Sequence, residues 1–357
     1  MNKAESIKLI KSISDAYGAS GFEDEVVDVI RSYAEKYGNV IEDKMRNLYL
    51  YKDGNEAGKP VVQLDAHTDE VSFIVHAIKP NGTLRFLSLG RWADEAVAGQ
   101  RVLVRNALGE YIPGIIATTP PHYQKAEERG KLTLETMTID IGASSKEEAE
   151  KEYHIRIGEP VVPDVRLTYD EAHDIMIGKA FDCRLGCAAI LKTLELLKNE
   201  SLDVNVVGAW ACQEEVGTRG ACVTANRVKP DVAIVFEGAP ADDTCAEGYM
   251  VQTAIKKGPM LRFIDARMIT HPRFQRYALD LAEKLGIPAQ SGVRSGGSTN
   301  GAPIHLSNMG VPCIVIGVPV RYIHTQYGIA SYSDLEHAAM LAAEIIKSLN
   351  TDVIESF

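Results

Sequence analysis

Long apolar runs are missing from this sequence: nowhere do about 18 apolar residues stand together, so no membrane-spanning helix and no membrane partner are expected. The opening stretch, MNKAESIKLIKSISDAYG, is amphipathic but has no apolar h-region, so it does not read as a secretory signal. Cysteine is sparse. Six in 357 residues make no disulfide scaffold, and free thiols in the reducing cytoplasm are the simpler expectation. Positive charge is also short. With 38 Lys and Arg against 49 Asp and Glu, the net charge of -11 disfavours a nucleic-acid partner, whose phosphates need clustered cations. Aromatic residues are 7% of the chain, which lends no support to a glycan cleft built on aromatic platforms. The remaining composition, 45% hydrophobic and 24% charged, suffices for a sizeable core in one large domain or two.

Two helical patterns come first. Ile7, Ile10 and Ile13 share one face, and Val26, Val27, Ile30 and Ala34 another, with Gly18 to Gly21 as a break between them. A strand is expected over 47–51. PVVQLD at 60–65 reads as a buried strand that delivers His67 and Asp69 at its carboxyl end. From about 71 to 162 the character changes to short strand-like runs, VSFIVHAI, TLRFLSL, RVLVR and YIPGIIAT, with a hairpin signal at Asn81-Gly82. After Pro163 helices (186–197, 219–226, 271–285, 334–349) alternate with strands (204–212, 231–236, 312–318). Such alternation means an α/β sheet. The expected organisation is a main α/β domain from residues 1–70 and 163–357, interrupted by a β-rich domain at 71–162.

The chemistry-bearing residues are scattered acids and histidines. They are His67 and Asp69 (AHTDE), Asp182 (KAFDCRLG), Glu214 and Glu215 (CQEEVGTRGA), Glu237 (VFEGAP) and His324 (RYIHT). Most follow apolar runs that read as strands, and open α/β sheets gather ligand sites at the carboxyl edge of their strands. Two histidines and three carboxylates suit zinc, manganese or cobalt. In the Glu214-Glu215 pair, one member could bind metal while the other serves as general base. Each piece also has a plainer reading. Paired glutamates are often solvated, and an acid before a helical pattern, as at Asp182, is often a cap. Spacing alone leaves both readings open.

Longer stretches carry more. AHTDEVSFIV, GRWADEAVAGQRV, IDIGASSKEEA, GEPVVPD, GKAFDCRLGC, QEEVGTRGA, GGSTNGAPIHLS and GVPVRYIHT, in this order, resemble the tetrahedral (TET) aminopeptidases, the group of bacterial glutamyl and archaeal deblocking aminopeptidases. The resemblance implies a zinc-peptidase-like mixed sheet with helices on both faces. It implies two divalent metal ions, zinc first, with cobalt or manganese as alternatives. His67, Asp182 and Glu237 would hold one ion. Asp182, Glu215 and His324 would hold the other. Glu214 would be the base acting on the water between them, and Asp69 would fix the tautomer of His67. Substrates would be short peptides with a free N-terminus. The β-rich domain would pair subunits, and dimers would build a twelve-subunit tetrahedron.

Four departures from the family pattern stand out: Cys183 after the bridging Asp, Glu237 where Asp is commoner, Asn300 for Asp, and Thr325-Gln326-Tyr327-Gly328 after His324. Cys183 and Cys187 read as small packing residues rather than a redox pair. His305 reads as a helix residue behind the site or in the core. Gly296-Gly297 could let backbone approach substrate, or form a turn. Arg321 and Tyr322 are candidates for a specificity pocket. Two other functions compete: a glycoside hydrolase using paired carboxylates, and a metal-stabilised shell whose activity has lapsed. The intact Glu214 speaks against the second.

Overall fold

The first helix starts at a capping box, in which the Asn2 side chain accepts from the Glu5 amide and Glu5 reaches back to Asn2. In this computed structural model, which describes residues 1–123 and 132–357, α1 (Lys3–Asp15) and α2 (Asp24–Ala34) bury Ile10, Ile13, Val26, Val27, Ile30 and Ala34. Strands β1 (Gly38–Glu42), β2 (Leu48–Lys52) and β3 (Val61–His67) follow. The chain then leaves for β4 (Ser72–Ile78), β5 (Leu84–Leu89), β6 (Arg101–Arg105), β7 (Tyr111–Ala117), β8 (Thr138–Asp140), the short α3 (Lys146–Lys151) and β9 (Pro160–Pro163). These six strands close into a barrel, which leaves no open sheet edge. Gly82, at a φ of 85°, turns the β4–β5 hairpin. Inside the barrel Phe73 stacks on Trp92 at 4.8 Å between ring centres and meets Phe86 edge-on at 4.9 Å.

The return path runs through β10 (Thr168–Asp170), β11 (Ile175–Gly178), α4 (Phe181–Leu196), β12 (Asn205–Ala211), α5 (Arg219–Val228) and β13 (Val232–Pro240). It continues with β14 (Met260–Ile264), α6 (Pro272–Leu285), β15 (Gln290–Val293), α7 (Gly301–His305), β16 (Cys313–Val320), β17 (Gly328–Ala330), α8 (Tyr332–Ser348) and α9 (Thr351–Glu355). The main sheet has the order β1-β2-β12-β3-β13-β16-β14-β15, and β10, β11 and β17 make a small separate sheet. Its centre, β12-β3-β13-β16, is parallel. Alternation along those strands explains the layers. Ile234, Phe236, Ile314, Ile316 and Val318 enter the core shared with α1, α4 and α8. Their neighbours Ala233, Val235 and Val315 enter the opposite core with Ala221, Ala225 and Ile304 of α5 and α7. With both faces covered, such strands must be apolar throughout.

Sequence periodicity did not anticipate β1, β10, β11, β14, β15 or β17. Each is three to five residues long. β1 and β15 are the partly exposed edges of the main sheet, where burial imposes little apolar pattern. No described helix is long and apolar enough to cross a membrane.

Candidate metal centre

Parallel strands that lie side by side end at one edge of a sheet, and His67, Glu214, Glu215, Glu237 and His324 come from that edge. His67 is the last residue of β3 and sits level with Ala211, the last of β12. The Gln213–Glu215 loop therefore emerges beside it. Glu237 lies within β13, level with Gly317 of β16, and His324 follows β16 by a turn. Asp182 reaches the same point by another route. It is neither at an end of the main sheet nor a helix cap. Ala180, in the left-handed region, begins α4 without a side-chain cap, and Asp182 and Cys183 have non-helical backbone. Gly238 permits the approach, because a Cβ there would lie 2.8 Å from the Asp182 Cα.

The side chains converge. His67 Nε2 is 3.1 Å from Asp182 Oδ1 and 3.3 Å from Glu237 Oε1. His324 Nε2 is 3.2 Å from Asp182 Oδ2 and 3.6 Å from Glu215 Oε2. Asp182 thus offers one oxygen to each imidazole. In each set, His67–Asp182–Glu237 and Asp182–Glu215–His324, ligand atoms lie within 4.8 Å of one another. Cys183 falls within reach of the first set, but its thiol is buried and donates to the Phe236 carbonyl. Burial pushes that thiol well above its ordinary range. Cys187 is likewise buried and donates to the carbonyl of His67, so both cysteines pack the back of the site.

Four carboxylates crowd this space. Burial first, then mutual repulsion against the pull of His67, pushes Glu237 up to about 7, Glu214 to about 8 and Glu215 well above the usual range. Although burial opposes it, hydrogen bonds from His324 and His67 hold Asp182 well below its ordinary value. Burial also opposes protonation of His67, but Asp182, Asp69 and Glu237 outweigh it and raise His67. Positive charge is therefore what the cluster needs. Glu215 Oε1 is buried with no hydrogen-bond partner, and a bare buried carboxylate oxygen is costly unless a cation meets it. A nitrogen-and-oxygen set of this kind fits zinc, cobalt or manganese.

Asp69 holds the arrangement. Its backbone oxygen lies 3.1 Å from His67 Nδ1 and its carboxylate 3.4 Å, leaving Nε2 to face the acids. The same carboxylate accepts from the amides of Glu214 (2.8 Å) and Glu215 (3.1 Å). The turns that carry the site are strained. Gln213, Thr218, Tyr322 and His324 all have φ between 53° and 61°, a region that costs side-chain-bearing residues on the order of 1 kcal/mol each.

The acids form the floor of a cleft of about 480 Å³. Its wall holds four arginines not foreseen from sequence, Arg91, Arg262, Arg267 and Arg294, together with Ser298 and the sequence candidates Gly296 and Gly297. No spacing links these arginines, which come from separate loops and strands. Arg321, a sequence candidate for this wall, instead forks onto Asp243 at 2.9 and 2.6 Å and is not among the lining residues, while Tyr322 lines a smaller hollow nearby. His305 ends α7 and bonds back to the Gly301 carbonyl. Asn300 donates at 2.8 Å to Asp65, a fully buried carboxylate beneath the floor. Gln326 donates to the Arg101 carbonyl and ties the His324 turn to the barrel.

Residues 46–341 match the family described as M42 glutamyl aminopeptidase. The chain is 32% identical over 347 residues to the glutamyl aminopeptidase of Lactococcus lactis subsp. cremoris, covering 97% of each. It superposes on a TET aminopeptidase from the marine sediment archaeon Thaumarchaeota archaeon SCGC AB-539-E09 with a TM-score of 0.94, at 38% identity over 99% of both chains. The TET1 peptidase of Pyrococcus horikoshii, which can assemble into a tetrahedron or a large octahedral shell, gives a TM-score of 0.86 at 26% identity, over 96% of this chain and 100% of that one.

Proposed function

Because this chain belongs to the M42 glutamyl aminopeptidase family and is a peptide hydrolase acting at the N-terminus, we propose that its site works with two divalent metal ions and that Glu214 is the base beside them. The observation that carries this reading is Asp182, whose two oxygens face two different imidazoles as a bridging carboxylate would. His67 and Glu237 complete one ligand set, and Glu215 and His324 the other. Zinc is the first candidate, ahead of cobalt and manganese. Ions held there would supply a Lewis acid for the peptide carbonyl and would lower the pKa of the attacking water.

The chain's own residues do the rest. Glu214 lines the cleft, and its amide is fixed by Asp69, so its carboxylate is placed to take a proton from the attacking water and return it to the leaving amine. Asp69 keeps His67 in one tautomer. The first side chain of the peptide faces the arginine wall, which favours an acidic residue there. Arg262 and Arg294 are already partnered by Asp265 and Asp242, which lie outside the lining. No acid lines the cleft except those of the floor. A glycoside hydrolase is not favoured, since no described lining residue is Trp, Tyr or Phe.

The barrel, at residues 71–162, is the proposed contact between subunits. Leu87, Leu108, Ile115 and Ile157 expose apolar surface on it, and a tetrahedral dodecamer is the proposed assembly. The cytoplasm is the proposed location, where six free thiols stay reduced. The reaction is tested by release of free amino acids from aminoacyl-anilides and short peptides, before and after chelation and after return of zinc, cobalt or manganese. Loss on chelation, recovery with metal, and two ions per subunit by elemental analysis are expected. Undiminished activity in metal-free protein would overturn the metal reading.

A further inference from the structure

Glu23 is a puzzle among the buried groups. It is 1% exposed and sits in the turn between α1 and α2, remote in sequence from every candidate ligand. One carboxyl oxygen accepts from the amides of Gly21 (2.8 Å) and Gln213 (3.1 Å). The other is buried without any hydrogen-bond partner. A half-satisfied buried carboxyl is expensive, and an apolar side chain could fill the same space at less cost. Something must offset that expense.

What Glu23 grips points to the answer. Gln213 precedes Glu214 directly and holds a left-handed backbone with φ of 54°. The next two amides, of Glu214 and Glu215, both end on Asp69. Three successive amides of one strained loop are thus bound by two carboxylates from outside it. Ser20, in the same turn as Glu23, donates to Asp69 at 2.6 Å, so the turn braces the second carboxylate as well. The turn itself is anchored. Glu70 accepts from the Gly18 amide and is in turn bound by Lys179 and Arg184, all three side chains being buried.

We propose that Glu23 is a positioning residue for the reaction: by holding the Gln213 amide it fixes where the loop presents Glu214 and Glu215. The proposal rests on the roles given above to those two glutamates. It does not require Glu23 to touch substrate or metal. Outer partners of metal ligands are typically worth about 10–100-fold in activity or metal affinity, and that is the effect assigned to Glu23.

The test uses the full chain and four variants, read by kcat and KM on one good aminoacyl-anilide, by titration of apo-protein with zinc, and by thermal unfolding. Glu23→Met keeps the bulk and removes the acceptor. It should lower kcat about 10–100-fold with KM nearly unchanged, and weaken the binding of zinc. Glu23→Gln keeps an acceptor oxygen and should stay within a few-fold of wild type on all three readouts. If the methionine variant does not fold, Glu23→Asp serves instead, because shortening the side chain withdraws the acceptor from Gln213. Activity within twofold of wild type in the methionine or aspartate variant would overturn the proposal. So would a glutamine variant as impaired as the methionine one. Glu214→Gln is the control for the underlying reading: if it retains full turnover, the roles assigned to the loop are wrong whatever Glu23 does.

Discussion

The floor and the wall of the cleft are built on opposite terms. The floor is acidic and largely buried, and its side chains sit on strand ends and on turns with left-handed backbone. The wall is basic, and two of its arginines, Arg91 and Arg267, are exposed. On the floor, each carboxylate's charge raises the pKa of the next, so the group is stable only with positive charge added. On the wall, Arg262 and Arg294 are already neutralised by their own aspartates. On the proposed function, the floor serves chemistry at fixed points, and Arg91 and Arg267, which have no aspartate of their own among the described residues, serve to choose among substrates.

Substitutions can break this division in order of effect. Glu214→Gln should cut kcat by about 10²–10⁴, leave metal content intact, and affect acidic and neutral substrates alike. A loss confined to one substrate class would mean that the floor also selects. Arg267→Gln should act the other way. Its guanidinium is exposed and lines the cleft, and a lost hydrogen bond to a charged partner is worth about 1.5–3 kcal/mol, the lower end applying at an exposed site. The glutamyl- over leucyl-anilide preference in kcat/KM should fall about tenfold while leucyl turnover is unchanged. Salt sharpens the contrast. Going from about 0.1 to 1 M shrinks the screening length from about 10 to 3 Å. The same preference should weaken several-fold through KM, because Arg91 and Arg267 are exposed, whereas kcat on the leucyl substrate should stay constant.

The smallest effect lies beneath the floor. Asp65 is fully buried, and burial lifts its carboxyl to about 6 despite donors from Gln63, Asn300 and Thr224. Asn300→Asp removes one donor and sets two carboxyls together. A carboxyl whose folded-state pKa is raised above its unfolded value destabilises the fold as pH climbs from the lower value to the higher. The variant should lose about 1–3 kcal/mol at pH 8, and less at pH 5, where the pair can share a proton. Thermal unfolding at the two pH values checks this, and equal losses at both would show that the hydrogen bond alone matters.

The contrast also explains what could be learned from sequence. His67, Glu214, Glu215 and His324 follow apolar runs because strands buried on both faces must be apolar and ligand sites gather at their ends. Asp182 was harder, since it stands on a distorted helix start packed against Gly238; it was among the candidate acids but read equally as a helix cap, and only the family resemblance gave it the bridging role. The arginines left no local mark. Arg262 lies on β14, a five-residue strand that periodicity did not reveal, and the others lie in loops. Arg321 was a reasonable candidate by its nearness to His324, yet in space Asp243 claims it. Glu23 has no signature beyond its place after a glycine turn. Its partner, Gln213, is 190 residues away.

The barrel is spliced into the chain immediately after β3, between His67 and every other proposed ligand. During synthesis the first imidazole is therefore made early and then waits, through the whole barrel and five further strands of the main sheet, for His324. On the proposed ligand set, a nascent chain that has not yet made His324 lacks part of its metal site, so peptidase activity waits on one of the last segments to be synthesised.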